Sequence, residues 1–306
     1  MVAKGIHHVS AITRNIQHNY YFMTQILGLR LVKKTVNQDD TSMYHLFYAD
    51  YKGSPGTDMT FFEIKGTDKH TPGTNAISKT IFRVKSNEAL NYWLDRFDEF
   101  KVEHGEIIEY YRKPALEFYD DEAQRMMLIV DPIEEDVAPF GNNGEIADEY
   151  RITSLHGVEV TVQYAQPFVD FMQLLGGKHN SKLDVVQFGN DCVYVNEIRQ
   201  NFVEKQGYGS VHHFAMQVED EAALQQILEL VKEERYPNSG IVDRYYFKAL
   251  YVAAPNHITV EIATNGPGFT SDEDLESLGE KLALPPFLEE DRVFIELYLK
   301  PVKQFQ

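Results

Sequence analysis

The sequence of 306 residues predicts an α+β protein built from four βαβββ modules. One observation is that strand-like and helix-like segments recur in a fixed order, with modules that begin near residues 5, 77, 153 and 210. Another is that the modules alternate in type, and the histidine doublet His7-His8 of the first returns in the fourth as His212-His213. Because a periodic order of elements indicates a repeated structural unit, a duplicated pair of modules is expected.

The first and third modules begin with the same two elements. Residues 5–12 are predicted to form a strand, and residues 16–27 have apolar side chains at helical spacing before a glycine. Residues 155–162 and 167–175 repeat that order and also end at glycine. Each of these modules is therefore predicted to open with a strand and a helix.

The second and fourth modules share another pattern. Residues 77–84 are predicted to form a strand that leads into a helix over 87–94, with Ser86 as its N-cap. Residues 212–218 and 221–228 repeat this strand and helix. The modules thus match as first with third and second with fourth.

This duplication predicts two domains, residues 1–140 and 150–306, a division that suits a chain of this length. Turn-forming residues 138–144 mark the seam between them. Near the C-terminus, the acidic segment Ser271–Leu282 is predicted to be a helix, and a proline pair at 285–286 then interrupts it. The last residues are expected to return as a strand or a short helix.

Charge and composition exclude several classes of function. The net charge of -18 opposes nucleic-acid binding, because phosphates would meet a repulsive mean field. No apolar run approaches the ~18 residues of a membrane helix, and the N-terminus lacks a signal-peptide pattern, so a cytoplasmic protein is expected. The single cysteine, Cys192, is expected to be buried and inert, which leaves His, Asp and Glu as metal ligands.

The two doublets and Glu261 suggest a metal centre. Two histidines and one carboxylate form the ligand set of non-haem Fe(II) sites that leave positions open for substrate and O2. Neighbouring side chains on a strand point to opposite faces, so only one member of each doublet should face a common pocket. Glu261 lies among β-branched neighbours, where a metal would offset the cost of burying it; a solvated, outward-facing glutamate is the alternative.

Together these motifs resemble the vicinal-oxygen-chelate superfamily of glyoxalases, bleomycin-resistance proteins and extradiol dioxygenases. The resemblance spans nearly the whole chain and implies two vicinal-oxygen-chelate domains, each of two βαβββ modules. Several runs look like those of ring-cleaving dioxygenases that act on hydroquinones: residues 7–10, 29–37, 58–62, 212–214, 243–248, 261–264 and 284–289.

The resemblance implies a ring-cleaving dioxygenase that uses Fe(II), or Mn(II), which shares the ligand set. It takes a small aromatic substrate and O2, with a role in the detoxification of hydroquinone-type compounds. The implied metal ligands are His8, His213 and Glu261. A homodimer is compatible with the exposed strand edges of such modules.

Four further site residues are implied by the same resemblance. Arg244 and Tyr251 match positions that orient the substrate, and an arginine there would stabilise a phenolate oxygen. His7 and His212 match histidines that lie beside the ligands, with His212 as a proton donor for O–O cleavage. Strict alternation would turn His7 and His212 away from the metal, so a twist or a bulge near the strand end is required.

Other interpretations remain open at this point. Catechol-type relatives draw their first histidine from the third module, which would replace His8 by His156. A glyoxalase-like lyase would complete its site with a fourth protein ligand, and a binding protein would need no metal. Glu63 is interpreted as the counterpart of Glu261 in the first module, since it follows His8 by 55 residues and Glu261 follows His213 by 48.

Overall fold

The computed structural model describes residues 3–133 and 146–303, and within these ranges the predicted order of four βαβββ modules is confirmed. The strands of the first two modules are β1 (Ile6–Thr13), β2 (Arg30–Asn37), β3 (Asp40–Ala49), β4 (Asp58–Glu63), β5 (Ala76–Val84), β6 (His104–Tyr110), β7 (Lys113–Tyr119) and β8 (Arg125–Val130). Those of the last two are β9 (Leu155–Val162), β10 (Lys178–Asn180), β11 (Val185–Phe188), β12 (Asp191–Glu197), β13 (Val211–Val218), β14 (Asn238–Asp243), β15 (Phe247–Ala253) and β16 (Thr259–Pro267). The helices are α1 (Ile16–Tyr21), α2 (Asn87–Phe100), α3 (Ala165–Leu174), α4 (Glu221–Glu233) and α5 (Arg292–Tyr298).

Local sequence signals explain most helix boundaries. The Ser86 hydroxyl accepts a hydrogen bond from the backbone N–H of Ala89, so the predicted N-cap of α2 is confirmed. The helix expected over residues 16–27 is α1 followed by a π-helical turn, Phe22–Ile26. The short C-terminal helix is present as α5, whereas the seam at residues 138–144 lies outside the described residues.

The helix predicted over Ser271–Leu282 is wrong. This segment contains only short 3₁₀ turns, Phe269–Ser271 and Leu275–Ser277. Two of its acidic side chains, Asp272 and Glu273, pair with the fully buried ammonium of Lys33 on β2. A buried charge needs such partners, and this requirement outweighs helix propensity here.

The strands form two eight-stranded sheets. The order is β14-β15-β16-β13-β1-β4-β3-β2 in one sheet and β10-β11-β12-β9-β5-β8-β7-β6 in the other. The first sheet thus combines modules one and four, and the second combines modules two and three. Within each sheet the two modules meet through an antiparallel pair of first strands, β1 with β13 and β5 with β9. The division of the chain into domains 1–140 and 150–306 stays a prediction. Each sheet takes strands from both of these segments.

The helices pack against the sheets through buried apolar stripes. On α2, Ala89, Leu90, Trp93 and Phe97 are all buried, as expected for an amphipathic helix. In the described part of the chain no helix combines the length and apolarity needed to cross a lipid bilayer. Cys192 is buried and free, as predicted.

Arg83 on β5 joins the two sheets. Its guanidinium is 1% exposed and bonds to the carboxylates of Asp131 and Asp191, at 3.2 and 3.0 Å. The other Asp191 oxygen accepts a hydrogen bond from the backbone N–H of Ile6, on the first strand of the other sheet. Arg83 also donates to Ser154 Oγ and to the backbone carbonyls of Leu155 and Asn190. Arg83 thus binds segments of the second sheet directly and is connected to the first sheet through Asp191.

Candidate metal centre

Two β-bulges place both histidine doublets on the inner face of the first sheet. The register between β1 and β13 slips once beside His7 and once beside His212. The pairs that flank the slips are Ile6–Met216 and His8–Ala215, then Ser10–His213 and Ala11–Val211. A bulge inserts one residue and re-aims its side chain, so consecutive histidines can point the same way. Of the two possibilities that the sequence left open, a twist or a bulge, the structure has a bulge at each strand.

His8, His213 and Glu261 come together at the centre of this face. The Nε2 atoms of His8 and His213 lie 3.2 and 2.9 Å from Glu261 Oε2. All three side chains are buried, and one potential ligand atom from each lies within 4.8 Å of the others. Among residues 3–133 and 146–303, this is the one group of three or more His, Cys, Asp or Glu side chains with such spacing.

The neighbouring histidines fix the ring orientation of the two candidate ligands. His7 Nδ1 lies 2.9 Å from His8 Nδ1, and His212 Nδ1 lies 2.8 Å from His213 Nδ1. Because each pair shares a proton between its Nδ1 atoms, the Nε2 atoms of His8 and His213 are left to face Glu261. Metal-binding histidines characteristically donate their second N–H in this manner.

The carboxylate of Glu261 fits a metal ligand. It is 0% exposed, and neither oxygen accepts a well-directed hydrogen bond, although both Nε2 atoms are close. Burial raises the pKa of Glu261, but His8 and His213 outweigh that effect and hold the pKa below its ordinary value. An ionised, buried carboxylate without donors is costly unless a cation binds it. The donor set therefore fits a divalent metal of the Fe(II) or Mn(II) type.

A cavity of about 430 Å³ opens above the three side chains. Its walls include the rings of Phe47, Phe62, Phe247 and Tyr251, together with His45 and Arg244. An apolar, aromatic lining with a few polar groups is typical of a small-molecule site. The cavity is thus suited to a flat aromatic ligand with polar substituents.

The structure brings Arg244 and Tyr251 to this cavity, as the sequence predicts. Tyr251 pairs with Glu261 across β15 and β16, and its hydroxyl accepts a hydrogen bond from Arg244 Nε at 3.2 Å. Burial raises the pKa of Tyr251, so its hydroxyl stays protonated and can donate. Arg244 also bonds the exposed carboxylate of Asp39, at 3.2 and 2.8 Å.

The two neighbouring histidines differ in their surroundings. Burial and the nearby His8 lower the pKa of His7 to about 3, and the backbone of Thr264 hydrogen-bonds its ring. Burial and the nearby His213 lower the pKa of His212 to about 4, but His212 lines the cavity. Both imidazoles are neutral at pH 7, and His212 is the one that a bound molecule can reach.

His156 lies in the other sheet and is not brought to His213 and Glu261. It is on β9, where its Nδ1 bonds Asp131 at 2.8 Å and its Nε2 bonds the hydroxyl of Tyr194 at 2.7 Å. Both ring nitrogens are therefore engaged. The register of β5 and β9 slips beside His156, so His156 occupies the bulge position that corresponds to His7 in the first module.

The interpretation of Glu63 as the counterpart of Glu261 is wrong. Glu261 pairs with Ala215, two residues after His213, whereas the residue two after His8 is Ser10, which pairs with Thr60. Glu63 lies three residues further along and accepts a 3.4 Å hydrogen bond from the start of α1. The separations of 55 residues from His8 to Glu63 and 48 residues from His213 to Glu261 suggested equivalent positions, but the loops between the strands differ in length.

Sequence reasoning missed His45 on β3. Its side chain lines the cavity, and its Nε2 lies 2.9 Å from Thr60 Oγ1. Burial lowers the pKa of His45 well below its ordinary value. The alternation of β3 could have revealed it, because His45 and Phe47 are two residues apart and share a face.

Known proteins resemble the chain over nearly its whole length. It is 43% identical to a Bacillus subtilis (strain 168) protein named as a ring-cleaving dioxygenase, MhqA, over 99% of this chain and 100% of that protein. It is 27% identical to the chlorohydroquinone/hydroquinone 1,2-dioxygenase of Sphingobium indicum, over 94% of this chain and 92% of that protein. No protein-family description matches the sequence.

Solved structures give the same picture of the fold. A Bacillus subtilis protein, named as a dioxygenase, superposes with a TM-score of 0.90 at 31% identity, over 99% of this chain and 98% of that one. Glyoxalase I from Zea mays superposes with a TM-score of 0.59 at 11% identity, over 85% and 92% of the two chains. At that identity the second likeness concerns the fold alone.

Proposed function

The chain belongs to the ring-cleaving dioxygenases of the vicinal-oxygen-chelate superfamily, and from that membership we propose that it cleaves hydroquinone-type aromatics with Fe(II) and O2. Both oxygen atoms of O2 enter a ring-opened, muconic-semialdehyde-type product. Detoxification of quinone-related compounds, a cytoplasmic location and a homodimer belong to the same proposal. The similarity to a chlorohydroquinone/hydroquinone 1,2-dioxygenase supports this choice of substrate.

One observation carries the proposal. The buried carboxylate of Glu261 lacks well-directed donors and faces two histidine Nε2 atoms at the floor of an aromatic-lined cavity. A 2-His-1-carboxylate set leaves coordination positions open for two further molecules. The Fe(II) that His8, His213 and Glu261 would hold supplies redox chemistry that zinc does not.

The protein's own residues bind the substrate and move its protons. Phe47, Phe62 and Phe247 contribute apolar surface that excludes water and holds the aromatic ring. Arg244 and Tyr251 direct a cation and a hydroxyl toward the cavity, where they stabilise negative charge on a phenolic oxygen. His212 reaches the cavity, hydrogen-bonds to His213 and is neutral, so it can take a proton from a substrate hydroxyl and return that proton in a later step.

Oxygen uptake by the Fe(II)-loaded protein tests the function. Under anaerobic loading and then controlled addition of O2, hydroquinone or methylhydroquinone should start rapid uptake, with one O2 consumed per ring opened. Catechol should be a poor substrate in parallel assays. The measurement combines an oxygen electrode with mass spectrometry of products formed under ¹⁸O₂.

Each alternative has its own outcome in this assay. O2 uptake with catechol alone would favour a catechol-cleaving dioxygenase, and turnover without O2 would identify a lyase. A protein that binds hydroquinone but never consumes O2 would be a binding protein. Products with no ¹⁸O label from O2 would also contradict the dioxygenase proposal.

Arg244 offers a sharper test of substrate orientation. In Arg244→Met, the KM for hydroquinone should rise about tenfold to a hundredfold, because a hydrogen bond from a charged group contributes about 1.5–3 kcal/mol. In Asp39→Asn, the KM should change by less than about threefold, since exposed ion pairs contribute little. If Arg244 served only to pair with Asp39, the two variants would behave alike. The measurement is steady-state kinetics of metal-replete protein.

A further inference from the structure

The His45 ring lies in an aromatic sandwich at the cavity wall. Its centroid is 4.0 Å from that of Phe47 and 4.0 Å from that of Phe62. Two aromatic neighbours restrict the imidazole to one plane, so its two nitrogens have fixed directions. A polar group held this rigidly in an apolar wall can determine which ligands fit.

Hydrogen bonds behind the ring indicate which nitrogen carries the proton. Thr60 Oγ1 lies 2.9 Å from His45 Nε2 and donates its own proton to Ser10 Oγ, also at 2.9 Å. When the Thr60 hydroxyl donates to Ser10, the Thr60 oxygen is free to accept the Nε2–H of His45. His45 Nδ1 then presents a lone pair. It has no hydrogen-bond partner within the described residues and is not sealed off by protein atoms.

The ring of Phe62 neighbours both His45 and the candidate metal ligand His213. The Phe62 ring centroid is 6.3 Å from that of His213 and 4.0 Å from that of His45. The cavity includes all three side chains. A six-membered ring with one oxygen at the metal centre would therefore occupy a cavity whose wall includes His45.

We propose that His45 Nδ1 accepts a hydrogen bond from the hydroxyl at the far end of the bound ring, and so selects para-dihydroxylated substrates. This inference rests on the proposed function, whose substrate class it deepens. Thr60 acts as a positioning residue, because it holds the imidazole in the tautomer that presents a lone pair. Catechol has no hydroxyl at the far end and would leave Nδ1 unpaired. A site built to hydrogen-bond a hydroxyl discriminates strongly against a ligand that lacks it.

Anaerobic calorimetry with two ligands tests the contact without turnover. Fe(II)-loaded protein is titrated with hydroquinone and with phenol, which differ by the far hydroxyl alone. Wild-type protein should bind hydroquinone about tenfold or more tightly than phenol, because an unpaired buried acceptor costs about 1–3 kcal/mol. In His45→Phe, which keeps the aromatic stack, the two affinities should become nearly equal through loss of hydroquinone binding.

Two more variants make the test specific to Nδ1. The amide of His45→Asn can place an acceptor near the Nδ1 position, so part of the preference for hydroquinone should return. The control variant His18→Phe, which replaces an exposed histidine, should keep the full preference for hydroquinone over phenol. Metal content is measured for every variant, and His45→Asn carries the test if His45→Phe does not fold.

The outcomes separate this contact from the function. An unchanged preference in His45→Phe, or equal weakening of both ligands, would overturn the role of His45. If the wild-type protein consumed no O2 but the His45→Phe variant lost the preference for hydroquinone over phenol, the proposed function would fail and the contact would stand. A wild-type protein without preference for hydroquinone over phenol would also overturn the inference.

Discussion

In His8→Ala, tight metal binding should be lost and oxygen uptake with hydroquinone should fall by more than about a hundredfold. Even residues that only orient a metal ligand cost roughly 10- to 100-fold when they are removed, so loss of a ligand should cost more. The remaining His213 and Glu261 would leave too few protein ligands for the 2-His-1-carboxylate arrangement. Metal content by elemental analysis and initial rates of O2 uptake measure the two effects separately.

The matched control is His156→Ala. His156 lies in the other sheet and bonds Asp131 and Tyr194, so this variant should retain both metal and oxygen uptake. It can lose stability, because His156 is buried, and its rates are therefore compared at a temperature where it is folded. Loss of metal from His156→Ala with retention in His8→Ala would move the centre to the third module.

Arg83→Met should lower the free energy of unfolding by about 3–5 kcal/mol, the usual cost of breaking a buried ion pair. Methionine has a similar length but leaves the carboxylates of Asp131 and Asp191 without their buried cation. Urea titration followed by the fluorescence of Trp93, the single tryptophan, measures this change.

Arg199→Met is the control for this substitution. Arg199 is 77% exposed and bonds Glu197 at 2.8 Å, so its loss should change the free energy of unfolding by less than about 1 kcal/mol. Equal effects of the two substitutions would show that the contacts of Arg83 add no more stability than an ion pair at the surface.

The order of elements could be predicted because strand and helix periods are local properties of the sequence. Ser86 marks the start of α2 by its own hydroxyl, and no distant residue is needed. The helix prediction for Ser271–Leu282 failed because the conformation of this segment depends on Lys33, more than 200 residues away in the chain. Contacts with distant residues override local propensity, and a single sequence does not reveal them.

The site was predictable to a different degree. The doublets and Glu261 marked the centre, since repeated histidines are conspicuous, and the need for a twist or a bulge at His7 and His212 followed from strand alternation. The register of β4 was not predictable, so Glu63 was taken for a position that belongs to Thr60. His45 went unnoticed because the alternation of β3 shows that His45 and Phe47 share a face but not that this face lines the cavity.

The arrangement of the sheets has a consequence for the order in which the protein folds. The second sheet is formed by strands that lie next to each other in the chain, from Ala76 to Glu197, and it is nested between the strands of the first sheet. During synthesis the second sheet can form before the fourth module has been translated. His8 can meet His213 and Glu261 only after the fourth module is present. Closing the long loop between β1 and β13 has a high entropic cost and is slow. We therefore expect the metal-binding centre to be completed last, so that the ability to hold a metal reports a fully folded chain.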